Sequence, residues 1–310
     1  MTQTRQKKSR RTLKAATGTL LFGATAVGFL SLGFLSVPTL FPIMYESELA
    51  FKEGEKEVPI VIIQEEKKDT FIPLRVETPE AVRAIYMTQC VAGTPSFRDS
   101  LVKLIEETEI NSVVIDIKDF SGGLGFIPED PVLKESLSTE CYAPDMKEFV
   151  KRLNEKGIYV IGRLTVFQDP FYANKHPHLA VKKESATSTL WQDYKGLNFI
   201  DAGAREYWDY IIAISREAYD SGFDELNYDY IRFPSDGDMK DIYYPFSETR
   251  VNRNPDTGKA EVVEEFFSYL HAHLKDTGVV MSADLFGMTT TNHDDLNIGQ
   301  QIEPALPSLA

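Results

Sequence analysis

Five short β-branched and aromatic runs alternate one for one with four helix-length amphipathic segments, and no other feature of the 310 residues constrains the fold as tightly. The runs are Val82 to Gln89, Ser112 to Asp119, Ile158 to Phe167, Phe223 to Pro234 and Val279 to Gly287. Ser96 to Glu109 carries Leu101, Leu104 and Ile105 at helical spacing, and Met146 to Lys156 carries Phe149, Val150 and Leu153 before a terminating Gly157. Arg205 to Ser221 turns Trp208, Ile211, Ile212, Ile214 and Ala218 to one side, and Val262 to Asp276 is the fourth segment. Strands and helices in strict alternation predict a parallel sheet covered by helices, either a barrel or a doubly wound sheet.

Two observations favour the barrel. The glycine cluster Gly122-Gly-Leu-Gly125 follows a strand but lacks the lysine or following helix that phosphate cradling needs, so no nucleotide cofactor is expected. Polar residues also gather at the carboxyl ends of the later runs: Asp116, Lys118 and Asp119; Arg163, Gln168 and Asp169; Asp229 and Arg232; Asp284 and His293. A barrel mouth is built from such residues. The fold class predicted is α/β, a (β/α)8 barrel of the TIM type. Only five strands are legible between Val82 and Ala310, whereas closure takes eight, so the barrel is expected to be truncated after the fifth.

Two runs stand out. Side chains alternate along a strand, so Glu225, Asn227, Asp229 and Ile231 share one face while Leu226, Tyr228 and Tyr230 share the other. Asp229 and Asp284 each close a strand-type run at its carboxyl end, where a side chain faces solvent over the sheet. They form the expected catalytic pair.

The amino terminus reads differently. Residues 1–14 hold six Lys or Arg and no acid, and residues 15–45 hold no charge. A run of that length can span a bilayer as a helix of about 20 residues and exceeds the roughly 7–15 residues of a signal-peptide core. The reading is a basic cytoplasmic tail over 1–14, a signal anchor and transmembrane helix over 15–45 in preference to a cleaved signal, a charged linker over 46–78, and the barrel domain over 79–310. The barrel is then extracytoplasmic, tethered to a membrane, or secreted if the segment is cleaved. Without the six bases the net charge of −14 becomes −20, a surface that repels nucleic acid and anionic headgroups. Nucleic acid is therefore not an expected partner.

Cys90 follows the first strand and Cys141 lies in the loop after the second. Neighbouring strands set those loops side by side, so a disulfide and two free thiols are both open readings in an exported domain. A metal site at either is disfavoured, because no His or Cys stands at ligand spacing. His176 and His178 are separated by one proline and have no acid in phase, which favours loop packing or substrate contact over metal ligation.

Several motifs together resemble the putative glycosyl hydrolase domain family, domain of unknown function 4015. They are Val114-Ile-Asp-Ile-Lys-Asp119, Arg163 to Asp169, Asn174-Lys-His-Pro-His-Leu-Ala180, Trp191-Gln-Asp, Tyr228-Asp-Tyr-Ile-Arg-Phe-Pro-Ser-Asp-Gly237 and Ser282-Ala-Asp-Leu-Phe-Gly287. The resemblance runs from about Val82 to the last residue. It implies a glycoside-hydrolase-like (β/α)8 barrel, often exported or envelope-attached, acting on a polysaccharide or oligosaccharide, and this chain departs from it by lacking the last strands.

Glycoside hydrolysis uses two carboxyls, one to protonate the leaving oxygen and one to act as nucleophile or to activate water. Asp229 is expected as nucleophile or base, held ionised by Arg232 three residues on. Asp284 is expected as the general acid, its pKa raised by Ala283, Phe286 and Met288, with Asp116, Asp119 and Asp169 as competitors. Asp116, Lys118, Arg163, Asp169, Trp191, Asn227 and Arg232 are the expected substrate contacts or shapers of the site, and Trp191 reads either as a sugar-stacking ring or as core beneath a long loop. Two other classes compete: a carbohydrate-binding or envelope-organising barrel without catalysis, and a metal-dependent hydrolase, for which the five histidines offer a poor ligand set.

Overall fold

The computed structural model describes residues 71–302. Five strands, β1 (Ala84–Met87), β2 (Ser112–Lys118), β3 (Tyr159–Thr165), β4 (Glu225–Asp229) and β5 (Val280–Ala283), lie in one sheet in sequence order. All four pairings are parallel. Among the described residues the sheet is an open row with β1 and β5 at its edges, five strands rather than the eight of a closed barrel. The helices in chain order are α1 (Gln89–Ala92), α2 (Pro95–Glu106), α3 (Pro131–Lys134), α4 (Met146–Glu155), α5 (Pro170–Lys175), α6 (Arg205–Asp220), α7 (Glu248–Arg253) and α8 (Gly258–Leu274).

Each long helix forms where the sequence supplies one apolar stripe and a stop. α4 buries Met146, Phe149, Val150 and Leu153, each large side chain contributing on the order of 1.5–3 kcal/mol. α6 buries Trp208, Ile211, Ile212, Ile214 and Ala218 and stops before Gly222, whose φ of 110° a side chain rarely adopts. One sheet face packs on these helices through Val113, Ile115, Val160, Leu164, Leu226 and Tyr228, all buried. The other face carries Tyr86, Val114, Asp116, Ile161, Arg163, Glu225, Asn227 and Asp229. Helices thus leave the polar face of the sheet open.

The alternation breaks at two places that decide the site. The β2–β3 register shifts between Asp116 and Lys118, so Asp116 pairs with Arg163 but Lys118 pairs with Leu164. Such a bulge re-aims the side chains beyond it. Tyr230 has a φ of 53°, a left-handed conformation that ends β4 immediately after Asp229.

The tail over 1–14 and the anchor over 15–45 lie outside the described residues. No helix among the described residues is long and apolar enough to cross a membrane. The end of the expected linker is bound to the domain: Arg75 donates to the carbonyls of Phe223 (2.8 Å) and Tyr219 (2.6 Å), and the Val76 amide donates to Asp224 at 2.9 Å. Thr78 donates to the Tyr159 hydroxyl at 3.1 Å. Cys90 and Cys141 are bonded to each other, with their Cα atoms 5.0 Å apart.

Candidate active site

The open face holds a cleft of about 540 Å³ lined by Tyr86, Val114, Ile161, Arg163, Glu225, Asn227, Asp229 and Asp284. Arg163 is its organiser. From β3 it donates through Nε to Asp229 Oδ2 at 3.1 Å, and Nη2 binds the same oxygen. Its Nη1 reaches back to Asp116 Oδ1 on β2 at 2.8 Å, and the Tyr86 hydroxyl donates to the other Asp116 oxygen. Tyr86, Asp116, Arg163 and Asp229 thus form one chain across four neighbouring strands.

The electrostatics follow from that chain. Burial pushes the Asp116 carboxyl above its ordinary value, opposed by the bonds from Tyr86 and Arg163. Burial pulls Arg163 down, but its bonds to Asp116 and Asp229 and their charges outweigh it and leave the guanidinium above its usual range. Burial raises the Tyr86 hydroxyl, and the Asp116 charge raises it further.

Asp284 sits one residue past the end of β5, where its amide donates to the Tyr228 carbonyl at 2.9 Å and continues the ladder. Tyr228 pairs with Ala283, so Asp229 and Asp284 occupy the next shared register position on adjacent strands. The Asn227 amide donates to Asp284 Oδ1 at 3.2 Å and to Ser282 Oγ at 3.1 Å. Lost hydration raises the Asp284 pKa, the Asn227 bond lowers it, and the Asp229 charge raises it again. Phe286 and Met288, expected to shield this carboxyl, are themselves 40% and 60% exposed, and Asp284 is open at the rim. Its raised pKa comes first from lost hydration and then from the Asp229 charge, which together outweigh the Asn227 bond and the Arg163 charge.

Below the pair, Glu225 is 9% exposed and accepts from Tyr159 at 2.8 Å and from Ser282 at 2.5 Å. Glu225, Tyr86, Tyr159 and Ser282 were not among the sequence-derived candidates. The signal for Glu225 was present in the Glu225, Asn227, Asp229 alternation. That for Ser282 lay in its place two residues before Asp284.

Asp229, Asp284, Asp116, Arg163 and Asn227 are brought together. Four other expected contacts are not. Lys118, displaced by the bulge, is fully buried in an ion pair with Asp169 at 2.9 Å and donates to the Thr165 carbonyl at 2.7 Å. Asp169 is likewise fully buried; it caps α5 through the Tyr172 amide at 2.7 Å and accepts from Tyr207 at 2.9 Å, so it shapes the loop rather than meeting substrate. The Trp191 ring is 1% exposed and its Nε1 donates to the Asp238 carbonyl at 2.9 Å, which makes it core. A Cβ on Gly237 would meet that ring at 2.4 Å.

Arg232 makes no ion pair with Asp229. The left-handed turn at Tyr230 swings it away, and it is buried, donating to the Phe233 carbonyl at 3.1 Å and lying over the rings of Tyr230 and Phe286 at 5.1 and 5.0 Å. Burial lowers its pKa. Asp119, a competitor for the acid role, accepts from Gln89 at 2.9 Å and caps its own turn at Ser121. His176 stacks on Tyr172 with centroids 4.1 Å apart, and His178 meets Glu206 at 3.4 Å. No group of three or more His, Cys, Asp or Glu among the described residues is placed to hold a metal ion.

The family model described as "Putative glycosyl hydrolase domain" matches residues 84–307. The chain belongs to this family. A hypothetical protein from Ruminiclostridium thermocellum ATCC 27405 is 34% identical, with 66% of this chain covering 98% of that one at a TM-score of 0.56. A more distant likeness is to an exo-β-N-acetylglucosaminidase from Vibrio harveyi, 15% identical over 65% of this chain and 35% of that one, TM-score 0.49. The α-L-fucosidase isoenzyme 2 from Paenibacillus thiaminolyticus is 12% identical over 69% and 32%, TM-score 0.47. This chain therefore spans about a third of those two enzymes. Among curated proteins nothing matches. The glycosyl hydrolase domain is thus an α/β fold whose cleft gathers carboxyl groups at the ends of parallel strands.

Proposed function

We propose that this glycosyl hydrolase domain cleaves O-glycosidic bonds of a polysaccharide or oligosaccharide with Asp229 as nucleophile and Asp284 as acid and base, on a barrel of the (β/α)8 type. The observation that carries the reading is the shared register of the two carboxyls. Both carboxyls line one cleft and can flank a glycosidic bond there, and a nucleophilic Asp229 belongs to the retaining route, in which the two carboxyls stand roughly 5–5.5 Å apart.

Their surroundings divide the roles. Arg163 and the Tyr230 amide, donating at 2.6 Å, fix Asp229 as an ion-paired, oriented carboxylate. Asp284 has a raised pKa and no cation bonded to it, as a proton donor requires. In the first step the Asp284 proton passes to the glycosidic oxygen as its bond to C1 breaks, and an Asp229 oxygen bonds to C1. In the second, water attacks C1, gives its proton to Asp284, and releases Asp229 as a carboxylate. Asn227, bonded to Asp284, aims the acid.

The domain is proposed to act outside the cytoplasm, tethered to a membrane. The basic residues 1–14 and uncharged residues 15–45 support this, as does the Cys90–Cys141 bond, since disulfides persist in oxidising compartments. Hydrolysis of a polysaccharide panel by the full-length chain, with proton NMR of the first sugar anomer released, tests the reading. Retained configuration supports it; an inverted product would remove Asp229 from the nucleophile's role.

A further inference from the structure

One line of hydrogen bonds runs from the segment before β1 to Asp284. Thr78 donates to the Tyr159 hydroxyl at 3.1 Å, and Tyr159 donates to Glu225 Oε2 at 2.8 Å. Ser282 donates to the other Glu225 oxygen at 2.5 Å. The Asn227 amide nitrogen then donates to Ser282 Oγ at 3.1 Å and to Asp284 Oδ1 at 3.2 Å. Asn227 and Ser282 are register partners, with Glu225 two residues before the one and Asp284 two residues after the other, so the line zigzags between neighbouring chains on a single face.

The direction of each bond follows from the one behind it. An ionised carboxylate only accepts, so Glu225 takes the hydrogens of both hydroxyls. Burial holds the Tyr159 hydroxyl above its ordinary pKa, which keeps it a donor. Ser282, its hydrogen committed to Glu225, offers Asn227 only a lone pair. An amide oxygen facing that lone pair would be repelled. The Asn227 nitrogen therefore turns to Ser282, and its second hydrogen falls on Asp284.

We infer that Glu225 is a positioning residue for the general acid: by fixing the Ser282 hydrogen, it holds the Asn227 amide with its donor on Asp284. The inference rests on the glycosidase reading for the acid's role, while its test reads the proton on Asp284 directly. The charged and titratable groups around Asp284 are Asp229 and Glu225 on β4, Arg163 on β3 and Tyr86 on β1, all lining the same cleft. Loss of the Glu225 charge has opposite effects by the two routes. Through space it favours the Asp284 carboxylate and lowers its pKa; through the bonds it frees the Asn227 donor, disfavours the carboxylate and raises the pKa.

Carbon-13 NMR of the full-length chain, labelled at its aspartate carboxyls, follows the titration of Asp284, whose signal is identified by its loss in Asp284→Asn. Glu225→Gln and Ser282→Ala should each raise the Asp284 midpoint by about half a pH unit or more, the scale of one hydrogen bond to a charged group. Neither should add to the rise that Asn227→Ala produces, since both act through that amide. Ser282→Ala keeps the Glu225 charge and breaks the same line, so it carries the test if Glu225→Gln does not fold. A midpoint that falls or stays in place in folded Glu225→Gln, one that stays in place in Ser282→Ala, or a further rise when Glu225→Gln is added to Asn227→Ala overturns the inference. Failure of the glycosidase reading looks different: the midpoints would move as expected in a chain that cleaves no member of a polysaccharide panel.

Discussion

Arg163 on β3 binds Asp229 on β4 through Nε and Nη2 while its Nη1 holds Asp116 on β2 at 2.8 Å. One planar cation thereby sets the position of the carboxylate on which the chemistry turns, and is itself set by a second, more buried one.

Replacing that guanidinium by an ammonium keeps the charge and loses the fork that grips two carboxylates at once. Arg163→Lys should lower kcat/KM about a hundredfold, the scale of a displacement near 1 Å at a reacting group. Arg163→Met should lower it further, because Asp116 and Asp229 then repel without a mediator. Steady-state kinetics on protein of unchanged circular dichroism checks both.

The pH profile follows from Asp284. A general acid works protonated, so activity falls as pH rises through its pKa, which the cleft and the Asp229 charge hold above the ordinary carboxylate value. The Asn227 bond favours the charged form and pulls the other way. Asn227→Ala should therefore move the alkaline limb of kcat/KM to higher pH while lowering its plateau. A limb that stays in place or moves to lower pH would remove Asp284 from the acid's role.

Lys118 and Asp169, expected near substrate, are instead a fully buried pair. Removing one partner leaves a buried charge alone, at a cost of about 3–5 kcal/mol. Lys118→Met should show that loss in urea unfolding, and the fraction that remains folded should keep the parent KM. A raised KM in folded protein would mean that Lys118 does reach substrate.

The contrast between Lys118 and Asp229 shows what the chain made legible. The strand runs, their parallel order and the polar carboxyl ends could be read from residue periodicity, because burial on one face and exposure on the other repeat every second residue. Asp229, Asp284, Asp116, Arg163 and Asn227 follow from that period. Lys118 and Arg232 do not, because each lies just beyond a backbone irregularity: the register shift after Asp116 and the left-handed Tyr230. Neither residue type announces such a change. Trp191 was equally open as stacking platform or core, and only the closeness of Gly237 and the Asp238 carbonyl decides for core.

The Cys90–Cys141 bond joins α1, just after β1, to the segment between α3 and α4 across 51 residues of chain. A closed loop of that size contributes about 2–4 kcal/mol by restricting the unfolded chain. The Cys90→Ser, Cys141→Ser double variant should lose that much in chemical unfolding, and a reductant should lower the midpoint of the parent but not of the variant. An unchanged midpoint in both would mean that the bond adds nothing to stability.

The role of Asp229 is tested most directly by the reducing ends that the full-length chain releases from a polysaccharide panel, beside Asp229→Asn, which keeps the shape of the side chain and removes its charge. The account predicts release by the parent chain and a fall of a thousandfold or more in the variant, on the order of what loss of a catalytic carboxylate costs. A folded parent chain that releases nothing from any member of the panel, or a variant that cleaves at the parent rate, would contradict it.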